Sequence, residues 1–350
     1  MLSFLAFAVI APPMELGAVM NIDITSEATF RRHFEIADGW ASYVRVSVAM
    51  EQEGWKPDVE RLPFVRNRRI AMECRKRGLG MDVHFGGLPH PDLWMTLGKP
   101  AGSYSRHKYR EMPREWWARW ADYQREAAKA IIEAYGPDAT KKIRFQLFNE
   151  PYDRGEDDVV DELLSYLVPR ITGRDGKVFG CPLDGPSMWG KPDQMSRQFN
   201  RFAKLLRSDL TLGKAVQKVP ISMYAIPNEK SARDPELLTT EYVAAAKRTI
   251  SEAESTMNRP VYFSEAGIGR AYDVRLDFFG ARTNELAERA LLKSLAGFRE
   301  LGLQHVTVYQ TKDDTEADAK GYGYGLADRH GRLRVDVGAL AKIARGELLN

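Results

Sequence analysis

Eight short apolar runs, each followed by a stretch of helical spacing, constrain this chain more than any other feature. The runs are Gly17–Ile24, Ser42–Met50, Met81–Phe85, Ile143–Phe148, Lys177–Cys181, Val219–Ile226, Pro260–Glu265 and His305–Gln310. Between and after them, helical patterns run from Thr25 or Ser26 to about Ala37, then over Arg61–Lys76, Pro113–Tyr135, Asp157–Leu167, Gln194–Leu206, Leu237–Ser255, Asn284–Leu301 and Gly338–Glu347. Glycines at 78, 80, 136 and 302 stand where helix C-termini need them. Strands that are apolar on both faces belong to a parallel sheet covered by helices. No linker, Ser/Gly tract or composition break divides the series. At 350 residues the pattern predicts a single (β/α)8 TIM barrel over 17–350, preceded by an N-terminal extension or signal segment over 1–16. The competing architecture is an open doubly wound sheet. It calls for a Gly-rich phosphate loop after an early strand, and none follows one here.

Composition removes other classes. With 44% hydrophobic and 28% charged residues, the chain is neither disordered nor fibrous. Its 51 basic and 48 acidic residues are scattered and leave a formal charge of +3, so nothing points to nucleic acid or a membrane surface as partner. Leu2–Ala11 is apolar but too short to span a bilayer. It lacks a basic n-region and a clean A-x-A site, and the reading divides between an export signal and an N-terminal strand or hairpin. Cys74 and Cys181 form no C-x-x-C and no metal-ligand spacing, which leaves them as core thiols. Arg106-His107-Lys108 with Arg110 reads as a solvated loop or a rim against substrate. Trp116, Trp120, Tyr123, Ala127, Ile131 and Ala134 recur at helical spacing and read as core packing.

The chemistry is concentrated where the apolar runs stop. Phe145-Gln146-Leu147-Phe148 gives way to Asn149-Glu150-Pro151, and Val261-Tyr262-Phe263 to Ser264-Glu265-Ala266-Gly267. A carboxylate ending a buried strand is costly unless something pairs with it or uses it. Arg45 sits inside the second run, where an unpaired guanidinium would be equally costly, so it must meet a carboxylate: Glu265 or, as rival, Asp82. In a barrel the C-terminal strand ends open on one face. Arg45, His84, Asn149, Glu150, Tyr224, Glu265, Tyr309 and Gln310 would then share one cleft. Two carboxyl groups across a groove suit cleavage of a glycosidic bond, one protonating the leaving oxygen while the other, ionised, attacks the anomeric carbon.

At these residues the chain resembles the retaining glycoside hydrolases of clan A, and among them glycoside hydrolase family 5, the cellulase and mannanase family. The resemblance covers about residues 17 to 345. It rests on Val44-Arg45-Val46, Asp82-Val83-His84, Asn149-Glu150-Pro151, Tyr224 and Ser264-Glu265, with Tyr324-Gly325-Leu326-Ala327-Asp328-Arg329-His330-Gly331 similar to the family's closing turn. It implies Glu150 as general acid/base and Glu265 as nucleophile. It also implies Asn149 on the sugar 2-hydroxyl, Arg45 and Tyr224 orienting Glu265, and His84 lining the subsite at the cleaved bond. No cofactor is implied, and the partner is a carbohydrate of β-glucan or β-mannan type. Two positions depart from the family: Ser222 stands where a histidine is usual, and Tyr309-Gln310 where a tryptophan floors the sugar site. By strand alternation Tyr309 points away from the cleft. Sugar stacking is therefore expected from Trp189, with Tyr322 or Tyr324 behind it. Two other functions stay open at this point. One is a barrel that binds sugar without cleaving it, and the other a metal-dependent hydrolase built on Asp82 and His84.

Overall fold

The computed structural model describes residues 14–20, 26–48, 64–85, 109–111, 114–153, 155–225, 231, 234–268, 283–312, 325–328 and 330–347. The Leu2–Ala11 segment, Ile22–Ile24, Arg106–Lys108, Tyr322 and Tyr324 lie outside them.

Eight parallel strands form the sheet: β1 (Glu15–Val19), β2 (Tyr43–Ser47), β3 (Gly80–His84), β4 (Ile143–Gln146), β5 (Leu183–Asp184), β6 (Val219–Ala225), β7 (Val261–Ile268) and β8 (His305–Val308). They lie in the order β5-β4-β3-β2-β1-β8-β7-β6. Backbone hydrogen bonds then join β5 and its extension to β6. Gln217 N donates to Leu183 O (2.9 Å), Gly185 N to Lys218 O (2.9 Å), Met188 N to Pro220 O (3.1 Å) and Ser222 N to Met188 O (2.9 Å). The sheet is thus a nearly closed barrel, as the alternation predicts. The helices are α1 (Glu27–Ala37), α2 (Val65–Arg77), α3 (Glu115–Tyr135), the short α4 (Ala139–Lys142), α5 (Asp157–Ile171), α6 (Pro192–Ser208), the short α7 (Leu210–Ala215), α8 (Pro235–Met257), α9 (Thr283–Glu300) and α10 (Val337–Arg345). Ser26 caps α1 through its side chain, and Gly78 ends α2 in the left-handed region. Trp120, Ala127 and Ile131 of α3 are buried in the core, together with Trp117, which the stripe omitted.

The fifth strand is not where the sequence suggests. Lys177–Cys181 forms a tight turn in which Val178 and Cys181 exchange both backbone hydrogen bonds (3.0 and 2.9 Å). Phe179 (φ 48°) and Gly180 (φ 86°) occupy its tip, both in the left-handed region that a type I′ turn requires. β5 follows as two residues between Pro182 and Gly185. β1 begins at Glu15, two residues before the expected start at Gly17.

The lower barrel is polar. By register Tyr43, Gly17 and Thr307 lie side by side on β2, β1 and β8. The Tyr43 ring crosses Gly17, where a Cβ would meet its Cε2 at 2.2 Å, and its hydroxyl pairs with Thr307 Oγ1 at 2.8 Å. His305 stacks on Tyr43 (centroids 4.0 Å apart) and stands perpendicular to Tyr262 (4.8 Å). Its Nε2 is 2.7 Å from Asp82 Oδ2 and its Nδ1 is 3.3 Å from Glu15 Oε2. Nearby, Arg144 donates to Asp184 at 2.9 and 3.1 Å.

Burial alone would lower the His305 pKa, but the Asp82 carboxylate and the hydrogen bonds to Asp82 and Glu15 outweigh it and raise it. A folded-state pKa above the unfolded value stabilises below the unfolded pKa and is lost as the pH climbs through the folded one. Urea midpoints should therefore decline in the parent as the pH rises above the ordinary histidine value of about 6.5, and His305→Gln should flatten that decline. An equal slope in both proteins would exclude His305 as its source.

Candidate active site

Glu265 reaches the barrel interior through an irregularity. Phe263 packs outward on Phe298 of α9 (centroids 5.1 Å, nearly perpendicular), and in a regular strand residue 265 would share that outer face. The β6–β7 register steps from Ile221↔Phe263 to Ser222↔Glu265, so Ser264 is an extra residue in β7. Such a bulge re-aims the next side chain, and Glu265 turns inward. The strand continues to Ile268, so the acid is set in the strand rather than at its end. No local pattern in the sequence announces this bulge. The pair Ser264-Glu265 inside an otherwise apolar run is the trace it leaves.

Both oxygens of the buried Glu265 (5% exposed) accept hydrogen bonds: Oε1 from Arg45 Nη1 and Oε2 from the Tyr224 hydroxyl. Arg45 itself is 1% exposed. Its Nη2 donates to Asn149 Oδ1 at 2.9 Å, and its Nε and Nη2 lie 3.3 Å from Gln146 Oε1. The rival pairing fails although Arg45 and Asp82 are register partners, because Asp82 is held by His305 across the barrel. Burial is the largest influence on Arg45 and opposes its charge, but the charge and hydrogen bond of Glu265, together with Tyr262 and Tyr224, outweigh it, so the guanidinium pKa is raised. Burial, then the Glu265 and Glu150 carboxylates, hold the Tyr224 phenol well above its usual range. The phenol therefore stays a donor to Glu265, and both acids act on this one hydroxyl.

β4 ends at Gln146, and Asn149-Glu150 stands in the turn beyond it. Glu150 is half-buried with φ 49°, in the left-handed region that a residue with a Cβ adopts only when held there. What holds it is Ser187, a residue the sequence reading passed over. The Ser187 hydroxyl accepts from Glu150 N (2.9 Å) and donates to Asn149 Oδ1 (2.6 Å), while Ser187 N donates to Phe148 O (2.9 Å). A lone serine in a loop carries no pattern by which sequence could have found it.

The remaining residues fall on the same end of the barrel. His84 is the last residue of β3 and half-buried. The Tyr309 ring meets Tyr224 edge to face at 5.6 Å, contrary to the expectation that it faces away. The reason is that β8 stops at Val308, so strand alternation no longer applies. Gln310 is buried, and its carbonyl accepts from Leu326 N (2.8 Å). This bond fastens the loop in which Asp328 accepts from the backbone of His330 and Arg332. Trp189 is 44% exposed. Its backbone is clamped by the buried Gln198, whose Nε2 donates to Trp189 O (2.7 Å) and to Asp153 Oδ2 (2.8 Å). Ser222 is buried, and its hydroxyl has no partner among the described residues. Among those residues no group of three or more His, Cys, Asp or Glu is arranged to hold a metal ion, and no helix is long and apolar enough to cross a membrane.

No family model and no curated protein matches the chain. Solved structures do. An exo-beta-1,4-mannosidase from Opitutaceae bacterium strain TAV5 is 16% identical with a TM-score of 0.61, over 95% of this chain and 59% of that one. An endo-1,4-beta-xylanase from Caldicellulosiruptor owensensis is 16% identical with a TM-score of 0.59, over 95% and 96%. A family 10 xylanase from Thermobacillus composti is 13% identical with a TM-score of 0.56, over 95% and 97%. The chain thus spans about three fifths of the mannosidase and nearly all of the two xylanases. At such identities the likeness establishes the (β/α)8 barrel they have in common.

Proposed function

We propose that this protein is a retaining glycoside hydrolase of the clan A type, patterned most like glycoside hydrolase family 5, that cleaves β-glycosidic bonds of a β-glucan or β-mannan type carbohydrate. The observation that carries this reading is the reach of Arg45. One buried guanidinium bonds the Glu265 carboxylate on β7 and the Asn149 amide beside Glu150 beyond β4, so both acids belong to one polar cluster. In the first step Glu265 attacks the anomeric carbon as the glycosidic bond breaks, and Glu150 passes its proton to the leaving oxygen. In the second, water attacks the glycosyl-enzyme, the bond to Glu265 breaks, and the water's proton goes to Glu150. This sequence needs carboxyl groups about 5–5.5 Å apart, whereas inversion needs about 6.5–9.5 Å. Arg45 and Tyr224 orient Glu265, Asn149 takes the sugar 2-hydroxyl, and His84, Tyr309 and Gln310 line the sugar site.

The structural neighbours bear the names of a mannosidase and xylanases, so β-mannosides and β-xylosides stand with β-glucosides on the panel to be tested. Turnover of at least one aryl β-glycoside, insensitive to chelator, is expected. A panel without turnover would leave the sugar-binding alternative, and loss of activity to chelator the metal-dependent one.

Trp189 presents an exposed ring in the loop that follows β5 and is tied through Gln198 to the loop of Glu150. As a stacking platform it should contribute roughly 1 to 3 kcal/mol, so Trp189→Ala should raise KM about 5- to 150-fold with a smaller change in kcat. Unchanged kinetics on oligosaccharides would remove it from the substrate path.

A further inference from the structure

Ser187 is fully buried, comes from a different barrel loop than the residues it holds, and makes three hydrogen bonds to the turn that carries the proposed acid/base. Its hydroxyl is committed in both directions, accepting from Glu150 N (2.9 Å) and donating to Asn149 Oδ1 (2.6 Å). Asn149 Oδ1 takes its second hydrogen bond from Arg45 Nη2 (2.9 Å). Both lone pairs of that oxygen are then engaged by donors, which assigns the carboxamide: the amide nitrogen lies on the side away from Ser187 and Arg45. The same hydroxyl fixes the Glu150 backbone at φ 49°, a conformation that determines where the carboxyl group points.

We propose that Ser187 is a positioning residue that sets two reacting-end groups at once, the donor side of Asn149 and the aim of Glu150, and so couples recognition of the sugar to proton delivery. This inference rests on the glycosidase reading. It adds a residue of the β5 loop to Arg45, Asn149, Glu150, Tyr224 and Glu265, which come from β2, β6, β7 and the turn beyond β4. A hydroxyl at this position shapes proton transfer without touching substrate, and its removal acts on the step in which the leaving oxygen must be protonated.

The test uses the intact enzyme and aryl β-glycosides of one accepted sugar whose leaving groups range from 2,4-dinitrophenol, which departs without a proton, to phenol, which needs one. Ser187→Ala should lower kcat/KM by about tenfold or more for the phenyl glycoside relative to the dinitrophenyl glycoside, steepening the dependence on leaving-group acidity. Ser187→Thr, which keeps the hydroxyl, should return the parent's dependence. A uniform loss across the series, or none, overturns the proposal and reduces Ser187 to loop packing. If Ser187→Ala does not fold, Ser187→Cys keeps the volume with a weaker donor and is read in the same way. A parent that turns over no aryl glycoside removes the glycosidase reading and this proposal with it, whereas an active parent with a flat variant removes the proposal alone.

Discussion

Replacing Glu265 by glutamine should lower kcat by roughly 10⁵-fold, the scale expected when the attacking group of a covalent mechanism is removed. The change is close to isosteric, and the fold should survive it. Tyr224 can rotate its hydroxyl to accept from the new amide, and Arg45 keeps Gln146 and Asn149 as acceptors. The smaller Glu265→Ala separates nucleophile from acid. It leaves space on one face of the anomeric carbon, and added azide should restore turnover of a dinitrophenyl glycoside with formation of the α-glycosyl azide. Glu150→Ala should instead give the β-azide, because there azide replaces water in the second step. Azide products of the opposite configuration would exchange the two roles. A Glu265→Gln enzyme within tenfold of the parent would end the assignment.

The second large effect concerns stability as well as catalysis. Arg45→Met strands the buried Glu265 carboxylate and leaves the Asn149 and Gln146 acceptors short of a donor. Breaking a buried pair by removing one partner costs about 3–5 kcal/mol, because the remaining charge has lost its compensation. The denaturant midpoint should fall accordingly and activity should be lost. If the stranded charge is the cause, Arg45→Met combined with Glu265→Gln should be more stable than the sum of the two single changes predicts, since the double variant buries no lone charge. Additive losses would locate the cost in packing around residue 45 instead.

How much of this could be read from sequence depends on the distance over which each signal acts. The barrel was legible because its strands are short, mostly apolar runs that alternate with segments of helical spacing, several closed by a glycine, and these are local properties. Glu150 and Glu265 stood out as candidates for a related reason: an acid that interrupts a buried run is conspicuous without knowledge of its partners. β5 was not legible. Two residues cannot display a period, and Lys177–Cys181 carried more strand character than Leu183–Asp184 although Phe179-Gly180 turn the chain back on itself. The bulge at Ser264 was hidden because it is a property of the β6–β7 pairing, and it changes which face Glu265 occupies. Ser187 and the Asp82–His305 pair were hidden because each is a contact between residues 37 or more positions apart. Asp82 had drawn attention as a metal ligand or an Arg45 partner, and the fold gives it to a histidine at the start of the last strand. Tyr309 was misdirected by one rule carried a residue too far, since β8 ends just before it.

In the proposed double displacement Glu265 forms a covalent bond to sugar. The direct measurement is mass spectrometry of the enzyme after incubation with a 2-deoxy-2-fluoro glycosyl fluoride of an accepted sugar, which slows both steps but releases its leaving group without help from an acid. Inactivation is expected, with a mass gain of one fluorosugar per chain and the label on the peptide that contains Glu265. Labelling of Glu150 or another residue would contradict the assignment, and turnover of ordinary substrate with inversion and no labelling would contradict the double-displacement mechanism itself.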